Sequence, residues 1–358
     1  MGVIFGILGL NDQNYQYVHQ AGQQLVFDAT AEYLQRVNAD AELALSVFLE
    51  STTTNYTERY LLPGGGRLQR MSGLANNAAA RASGKWDVAY PLEEFGTTLG
   101  ADRITLAYMS PQEYEVHVQN VVIQYQNTLR YEVLKALFNN TARTFKDLLR
   151  GVDLTIQPLA NNDSVVYPPV FGSETEATEN LYLESGYLAS AISNTNNPLP
   201  TMRDKLESHF GAVTGGENIV VFMNQAQTAK VTALSTFVPV VDNWIQASIN
   251  TNIPVRLPNV PGRILGRSDG CWVSEWRWMP ANYMLAVHLE APQPLKKRID
   301  PPDVGLGDGT LRMISNDDEY PLQAITWSAR FGIGVGNRLN GVVMELGNGG
   351  TYDIPSGY

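Results

Sequence analysis

The chain has 358 residues, a formal net charge of −11, and only 17% charged against 44% hydrophobic residues. At roughly 150 residues per domain this length allows two to three domains. The sparse charge excludes disorder and a coiled coil, and the acidity argues against nucleic-acid binding as a main task, because phosphate backbones are repelled. One cysteine, Cys271, excludes an internal disulfide and a thiolate metal cluster and suits a reducing compartment, while four histidines leave little for metal chemistry. The run Met1 to Leu10 is apolar, with no basic lead and about half the length of a membrane span. It reads as an arm that packs on something, another subunit included, and not as a signal peptide.

Residues 12 to 50 carry apolar side chains at helical spacing, Val18 through Leu25, Leu34, Val37, Ala41 and Leu45 to Phe48, which predicts one or two amphipathic helices. A Gly-, Ala- and Asn-rich stretch follows. Between Arg59 and Lys85 it holds five basic residues (Arg59, Arg67, Arg70, Arg81, Lys85) and no acidic one. From Gly151 to Met202 the balance reverses, with Asp153, Asp163, Glu174, Glu176, Glu179 and Glu184 and no Lys or Arg. The two segments are electrostatic complements, so the basic one reads either as a solvated loop or as an arm lying on an acidic neighbour.

Ser110-Pro111-Gln112-Glu113 has the form of a capping box with proline at the first helical position. One apolar stripe then runs from Tyr114 through Val118, Val122, Tyr125 and Leu129 to Leu137, predicting a helix to about Thr141, roughly 45 Å long, that serves as a spine. After Pro158 the chain turns irregular. Residues 175–192 and 200–210 read as helices, Ile219 to Met223 as a buried strand, and Asn224 as the cap of a helix over 226–234. Strands are predicted at 263–265, 271–279 and 283–290, with a further β-rich stretch from Ala324 to Leu346. Helices and strands without regular alternation give an α+β fold.

The motifs that could carry chemistry are weak. Gly266-Arg267-Ser268-Asp269-Gly270 matches a nucleophile elbow, but a strand follows the serine where the elbow needs a helix, so it reads as a β-turn. Gly332, Gly334 and Gly336 lack dinucleotide spacing and read as one bare strand face that another backbone approaches. Asp317-Asp318-Glu319 lacks the spacing of a calcium loop, and His19, His117, His209 and His288 stand singly. Trp272, Trp276 and Trp278 beside Asp269 and Glu275 suit core packing better than a sugar cleft, and no catalytic, cofactor or metal site is expected.

In its order of parts the chain resembles the major capsid proteins of tailed double-stranded-DNA bacteriophages, whose fold is shared with encapsulin shells. Gly262 to Gly266, Trp276 to Ala286 and Ala291 to Leu295 look like the axial-domain core, and Arg330 to Arg338 with Gly341 to Val343 looks like the last strand. The resemblance implies an N-terminal arm and helix over 1–50, an extended β-hairpin loop over 51–100, and a peripheral domain over 101–169 with the spine helix at about 110–141. It further implies an axial domain over 170–315 and a return strand to the peripheral domain with a tail over 316–358.

Function follows from that resemblance as an expectation. Copies of the chain would assemble into hexamers and pentamers of an icosahedral capsid around the phage genome, formed in the bacterial host cytoplasm and residing in the virion. Packaged DNA would lie non-specifically on the inner face, with no membrane involved. No long charged N-terminal extension is present, so a separate scaffolding protein is expected, with a portal and a decoration protein as further partners. Inter-subunit contacts are expected from Arg59, Arg67, Arg70, Arg81 and Lys85 to Glu174, Glu176, Glu179 and Glu184. Some members weld loops by Lys–Asn isopeptide bonds, for which Lys85 is the loop's candidate. Alternatives are an encapsulin-like cargo shell and, in another class, a soluble carbohydrate-active enzyme using Glu275.

Overall fold

A computed structural model of the protein describes residues 2–4, 8–10, 23–61, 85–100, 108–148, 150–168, 177–210, 218–240, 260–315 and 324–358. A small hairpin, β1 (Gly2–Ile4) and β2 (Leu8–Leu10), precedes helix α1 (Gln23–Leu45), strand β3 (Leu49–Thr53) and the hairpin strands β4 (Thr57–Leu61) and β5 (Lys85–Ala89). Strand β6 (Glu93–Gly100) leads to helix α2 (Pro111–Phe138), the hairpin β7 (Arg143–Asp147) and β8 (Val152–Ile156), and the short β9 (Tyr182–Glu184). Next come α3 (Pro198–Phe210), β10 (Ile219–Met223), α4 (Gln225–Val231), β11 (Val238–Pro239), β12 (Arg263–Ser268), β13 (Cys271–Glu275) and β14 (Tyr283–His288). The last strands are β15 (Leu295–Arg298), β16 (Arg312–Ser315), β17 (Ala324–Val335) and β18 (Val342–Glu345).

Helix α2 starts as its sequence predicts. The Ser110 hydroxyl accepts from the Glu113 N–H at 3.2 Å, and the Glu113 carboxylate accepts from the Ser110 N–H at 2.9 Å. Its 28 residues span about 42 Å, and Tyr114, Val118, Val122, Tyr125, Leu129, Val133 and Leu137 form one buried stripe. Against that stripe lie Leu34, Val37, Ala41 and Leu45 of α1 and Trp327, Phe331, Ile333 and Val335 of β17.

Two sheets flank the spine. One has the order β11-β12-β13-β10-β14-β18-β9, and the other runs β16-β17-β15-β3 with β6 also paired to β17. In the first sheet, β10 and β14 are buried on both faces, which explains why Ile219–Met223 reads as an unbroken apolar run. Alternation divides their side chains. Val220, Phe222, Leu285 and Val287 face the spine cluster, while Ile219, Val221, Met223, Met284 and Ala286 face a second core with Leu199, Met202 and Leu206 of α3 and Val231 of α4.

Several sequence expectations need correction. In place of the expected helix over 175–192, the described part, 177–192, is extended and irregular, with β9 at 182–184 and a 3-10 turn at 189–191. Its backbone is captured by neighbours: Leu181 N–H donates to the Ala160 carbonyl at 2.8 Å, Ser185 N–H to the Glu345 carbonyl at 2.9 Å, and Asn180 caps the Tyr182 N–H at 3.1 Å. The helix expected to reach residue 50 ends at Leu45, because Leu49–Thr53 pairs in parallel with β15. Within the span 170–315, β15 and β16 join the sheet of β3 and β17, and β18, inside 316–358, joins the sheet of β14.

The glycine motifs are structural. At 269–270 the chain turns with φ of 51° and 86°, the paired left-handed residues of a tight hairpin between β12 and β13. A methyl group on Gly332 would sit 1.9 Å from the Pro91 carbonyl oxygen, so the bare strand face is indeed where another backbone approaches.

Candidate assembly surfaces

The hairpin β4–β5, which bounds the basic segment, is anchored at its base. Leu61 and Lys85 pair at the open end of β4–β5, where both are exposed, and the residues between them, with Arg67, Arg70 and Arg81, lie outside the described residues. Arg59 is engaged within its own hairpin, donating from Nε to Asp87 at 2.7 Å and from a terminal nitrogen at 3.1 Å. Both members are exposed, so this pair positions the guanidinium more than it stabilises the fold.

At the base, charge is partly buried. The Lys296 ammonium of β15 donates to Glu58 at 2.9 Å, lies 3.9 Å from Glu50, and sits 5.5 Å over the Tyr60 ring. Tyr60 donates to Glu50 at 3.2 Å and Tyr90 to Glu58 at 3.4 Å, while Thr53 and Asn55 also bond Glu58. Burial pushes the Glu58 carboxyl up, but the hydrogen bonds from Thr53, Lys296 and Asn55 outweigh it and hold the group below the usual range. Burial raises the Tyr60 and Tyr90 phenols, so both stay protonated donors. Trp86 of β5 completes the anchor, donating to the Gly336 carbonyl at 3.0 Å and stacking on Tyr60 at 5.3 Å.

Behind this base the hairpin β7–β8 is fixed by a buried pair, Arg298 to Asp147 at 2.7 Å, with the second Arg298 nitrogen on the Tyr90 carbonyl at 2.8 Å. Sequence reading passed over these residues. The signal was present in Leu295-Lys296-Lys297-Arg298, three consecutive cations in a segment flanked by core-forming chain, because cations on a buried strand must each find a carboxylate.

The acidic segment is more mixed than its charge suggests. Glu174 and Glu176 lie outside the described residues. Glu179 is taken up inside the subunit, accepting from Lys205 at 2.5 Å and facing His209 Nε2 at 3.1 Å. Burial pushes its carboxyl up, yet the His209 and Lys205 contacts and the Asn180 N–H pull it down to about 2. Glu184 accepts from the Gly349 N–H and lines a polar groove of about 560 Å³ together with Asn140, Asn161, Asn180, Tyr182 and Thr351.

The alternative catalytic residues are dispersed. Glu275 accepts from the Thr228 hydroxyl at 3.0 Å, Trp276 stacks on Phe48 in the core, Trp278 lies under Arg130, and Trp272 lies under Arg267. Ser268 bonds Thr236 and the Asp269 carboxylate. Burial pushes the Cys271 thiol up to about 12, which leaves it unreactive. His288 accepts two backbone N–H groups through Nδ1, from Glu290 at 3.3 Å and Ala291 at 3.2 Å, and burial lowers its pKa. Among the described residues no group of three or more His, Cys, Asp or Glu could hold a metal ion.

No protein-family model matches the sequence, and no curated protein matches it. Solved structures do match in shape. A chain of Mycobacterium phage Patience has a TM-score of 0.66 at 20% identity, over 92% of this chain and 90% of that one. The asymmetric unit of the bacteriophage PhiM1 mature capsid gives 0.50 at 8% identity, over 84% and 86%.

Proposed function

We propose that this chain, whose α+β fold is that of phage capsid subunits, works by tiling: many copies join into a closed shell around a phage genome. The observation that carries the reading is the agreement in fold with two phage structures, over nine-tenths of both chains for Mycobacterium phage Patience and over 84% of this chain for the PhiM1 mature capsid. The anchored hairpin adds a device that suits tiling. It holds the ends of a basic, acid-free segment at an exposed tip in a chain that is acidic overall. Head-to-tail contacts that close by rotation give rings, and rings of six and five close a shell.

In this reading the segment from Arg59 to Lys85 lies on an acidic surface of the adjacent copy, within residues 151–202. Glu184 is a better recipient than Glu179, whose charge is already balanced inside its own subunit. Each exposed pair contributes at most about 1 kcal/mol, and repetition around a ring multiplies it. A scaffolding protein, a portal and non-specific contact with packaged DNA belong to the same proposal.

Negative-stain microscopy and light scattering of the purified full-length protein, alone and co-expressed with its neighbouring genes, test it. Hollow particles of megadalton mass are expected. A protein that stays a small oligomer under every one of these conditions overturns the reading.

A further inference from the structure

The chain contains two Asn–Gly steps, Asn340–Gly341 and Asn348–Gly349. Glycine after asparagine leaves the next backbone nitrogen unshielded, free to approach the side-chain amide carbon. The fold treats the two steps oppositely. Asn340 is fully buried, its Oδ1 accepting from the His288 N–H at 2.9 Å and its Nδ2 donating to the His288 and Pro292 carbonyls at 3.0 and 2.9 Å. Held from several sides, it cannot turn its amide carbon toward the Gly341 nitrogen. Asn348 is exposed, lies outside any helix or strand, and makes no side-chain hydrogen bond among the described residues. Main-chain bonds hold the loop that carries it: the Leu346 N–H donates to the Asn282 carbonyl and the Asp353 N–H to Glu345, both at 2.7 Å, and the Gly349 N–H donates to the Glu184 carboxylate of β9. The free amide thus stands beside Gly350 and Thr351 of the polar groove, next to a backbone nitrogen that carries a carboxylate on its proton.

We infer that Asn348 is a site of spontaneous deamidation and that Glu184 restrains it. The Gly349 nitrogen gives its proton to hydroxide and attacks the Asn348 Cγ; the side-chain nitrogen leaves as ammonia, taking a proton back from water, and a cyclic imide remains. Water then opens the ring at either carbonyl, leaving aspartate or isoaspartate, with nothing oxidised or reduced. Glu184 opposes the first step twice. Its hydrogen bond fixes the Gly349 N–H, and its negative charge disfavours an amide anion in contact with it. Either product adds a carboxylate to a loop already flanked by Glu184 and Glu345. The isoaspartyl form also routes the backbone through one more carbon, which displaces Gly349 from Glu184. The rim of the groove becomes more acidic and less tightly tied with age. Nothing in this chemistry depends on the tiling reading.

The test incubates the full-length protein at pH 8 and follows Asn340 and Asn348 by peptide mass mapping, with chromatography separating aspartyl from isoaspartyl products. In the native protein Asn348 should convert progressively while Asn340 stays an amide; in the chain unfolded by urea both should convert at similar rates. Glu184→Gln keeps an acceptor but removes the charge, and should speed conversion of Asn348 about tenfold, the effect of about one pKa unit at the attacking nitrogen. Gly349→Ala suits the fold, because its methyl meets nothing nearer than Glu184 Oε1 at 3.7 Å, and by shielding the nitrogen it should remove most of the conversion. Asn340 converting as fast as Asn348 in the native protein, or Asn348 staying intact there while the unfolded chain converts it, overturns the site. An unchanged rate in Glu184→Gln overturns the restraint assigned to Glu184. These outcomes are read from peptide masses and so stand apart from particle formation, which tests the tiling reading.

Discussion

Gly332 sits where the central strand β17 passes beneath the chain entering β6, and its replacement by alanine is the sharpest test of how the hairpin is held. The added methyl would lie 1.9 Å from the Pro91 carbonyl oxygen, 2.4 Å from its carbon and 3.1 Å from Leu92 N. Backbone atoms cannot rotate away, so Pro91 must retreat by more than about 1 Å to reach ordinary contact. That retreat pulls on the Tyr90 N–H bond to the Tyr56 carbonyl at 3.0 Å and the Arg298 bond to the Tyr90 carbonyl at 2.8 Å. Overpacking costs roughly 1–3 kcal/mol and each lost hydrogen bond about 1 kcal/mol, so Gly332→Ala should destabilise by about 3–5 kcal/mol. Gly341→Ala is the control, because its methyl meets only the Leu159 side chain at 3.2 Å, which can shift. Urea unfolding followed by tryptophan fluorescence measures both, and a Gly332→Ala loss below about 1 kcal/mol would refute the close-approach argument.

Further outcomes follow from the ionic groups. The depressed Glu179 carboxyl stabilises the fold fully above its unfolded value near 4.5, and that contribution drains away as pH falls toward about 2. Urea midpoints between pH 6 and 3 should therefore fall more steeply for the natural chain than for Glu179→Gln, and equal slopes would contradict the assignment. Asp147→Ala leaves Arg298 buried without its carboxylate and should cost about 3–5 kcal/mol, whereas Asp147→Leu with Arg298→Met should recover much of it, as read from the same unfolding curves. Cys271 should resist a disulfide-exchange reagent at pH 8 in the native protein and react once denatured; rapid native labelling would contradict its burial within the sheet. Reversing Arg67 and Arg70 to Glu should lower particle yield, with the difference narrowing at high salt, and unchanged yield at all salt concentrations would remove the segment from the contact.

What could be read in advance was whatever the local rules decide. The capping box at Ser110, the apolar period of α2, the unbroken run of β10 and the Asp269–Gly270 turn each depend on neighbours within a few residues, and each stands in the structure as expected. The bare face at Gly332 was legible because only glycine admits so near a backbone. Residues 175–192 were misjudged because long-range partners, Ala160 and Val343, overrule their helical spacing. The cluster around Lys296 was invisible for the same reason. Glu50 and Glu58 come from one end of the chain and Lys296 from the other, and only the parallel pairing of β3 with β15 brings them together. At the candidate surfaces, the charge contrast was plain in the composition, but its use was not: Glu179 already serves Lys205 and His209, whereas Glu184 borders the groove.

The turn from β17 to β18 joins the two sheets through Arg338 and Asn340, both fully buried, and the half-buried Asp163. Arg338 donates to the Pro158 carbonyl at 2.7 Å and reaches Asp163 at 2.8 Å, while Asn340 accepts from His288 N–H at 2.9 Å and donates to the Pro292 carbonyl at 2.9 Å. Twisting one half of the subunit against the other would break several of these bonds at once, and only at Asp163 is solvent at hand to replace them. A brick so riveted at its waist cannot flex there. In a shell of the kind proposed, the differing angles between five-fold and six-fold neighbours must then be absorbed at the margins, in the hairpin and the groove, and not within the body of the tile.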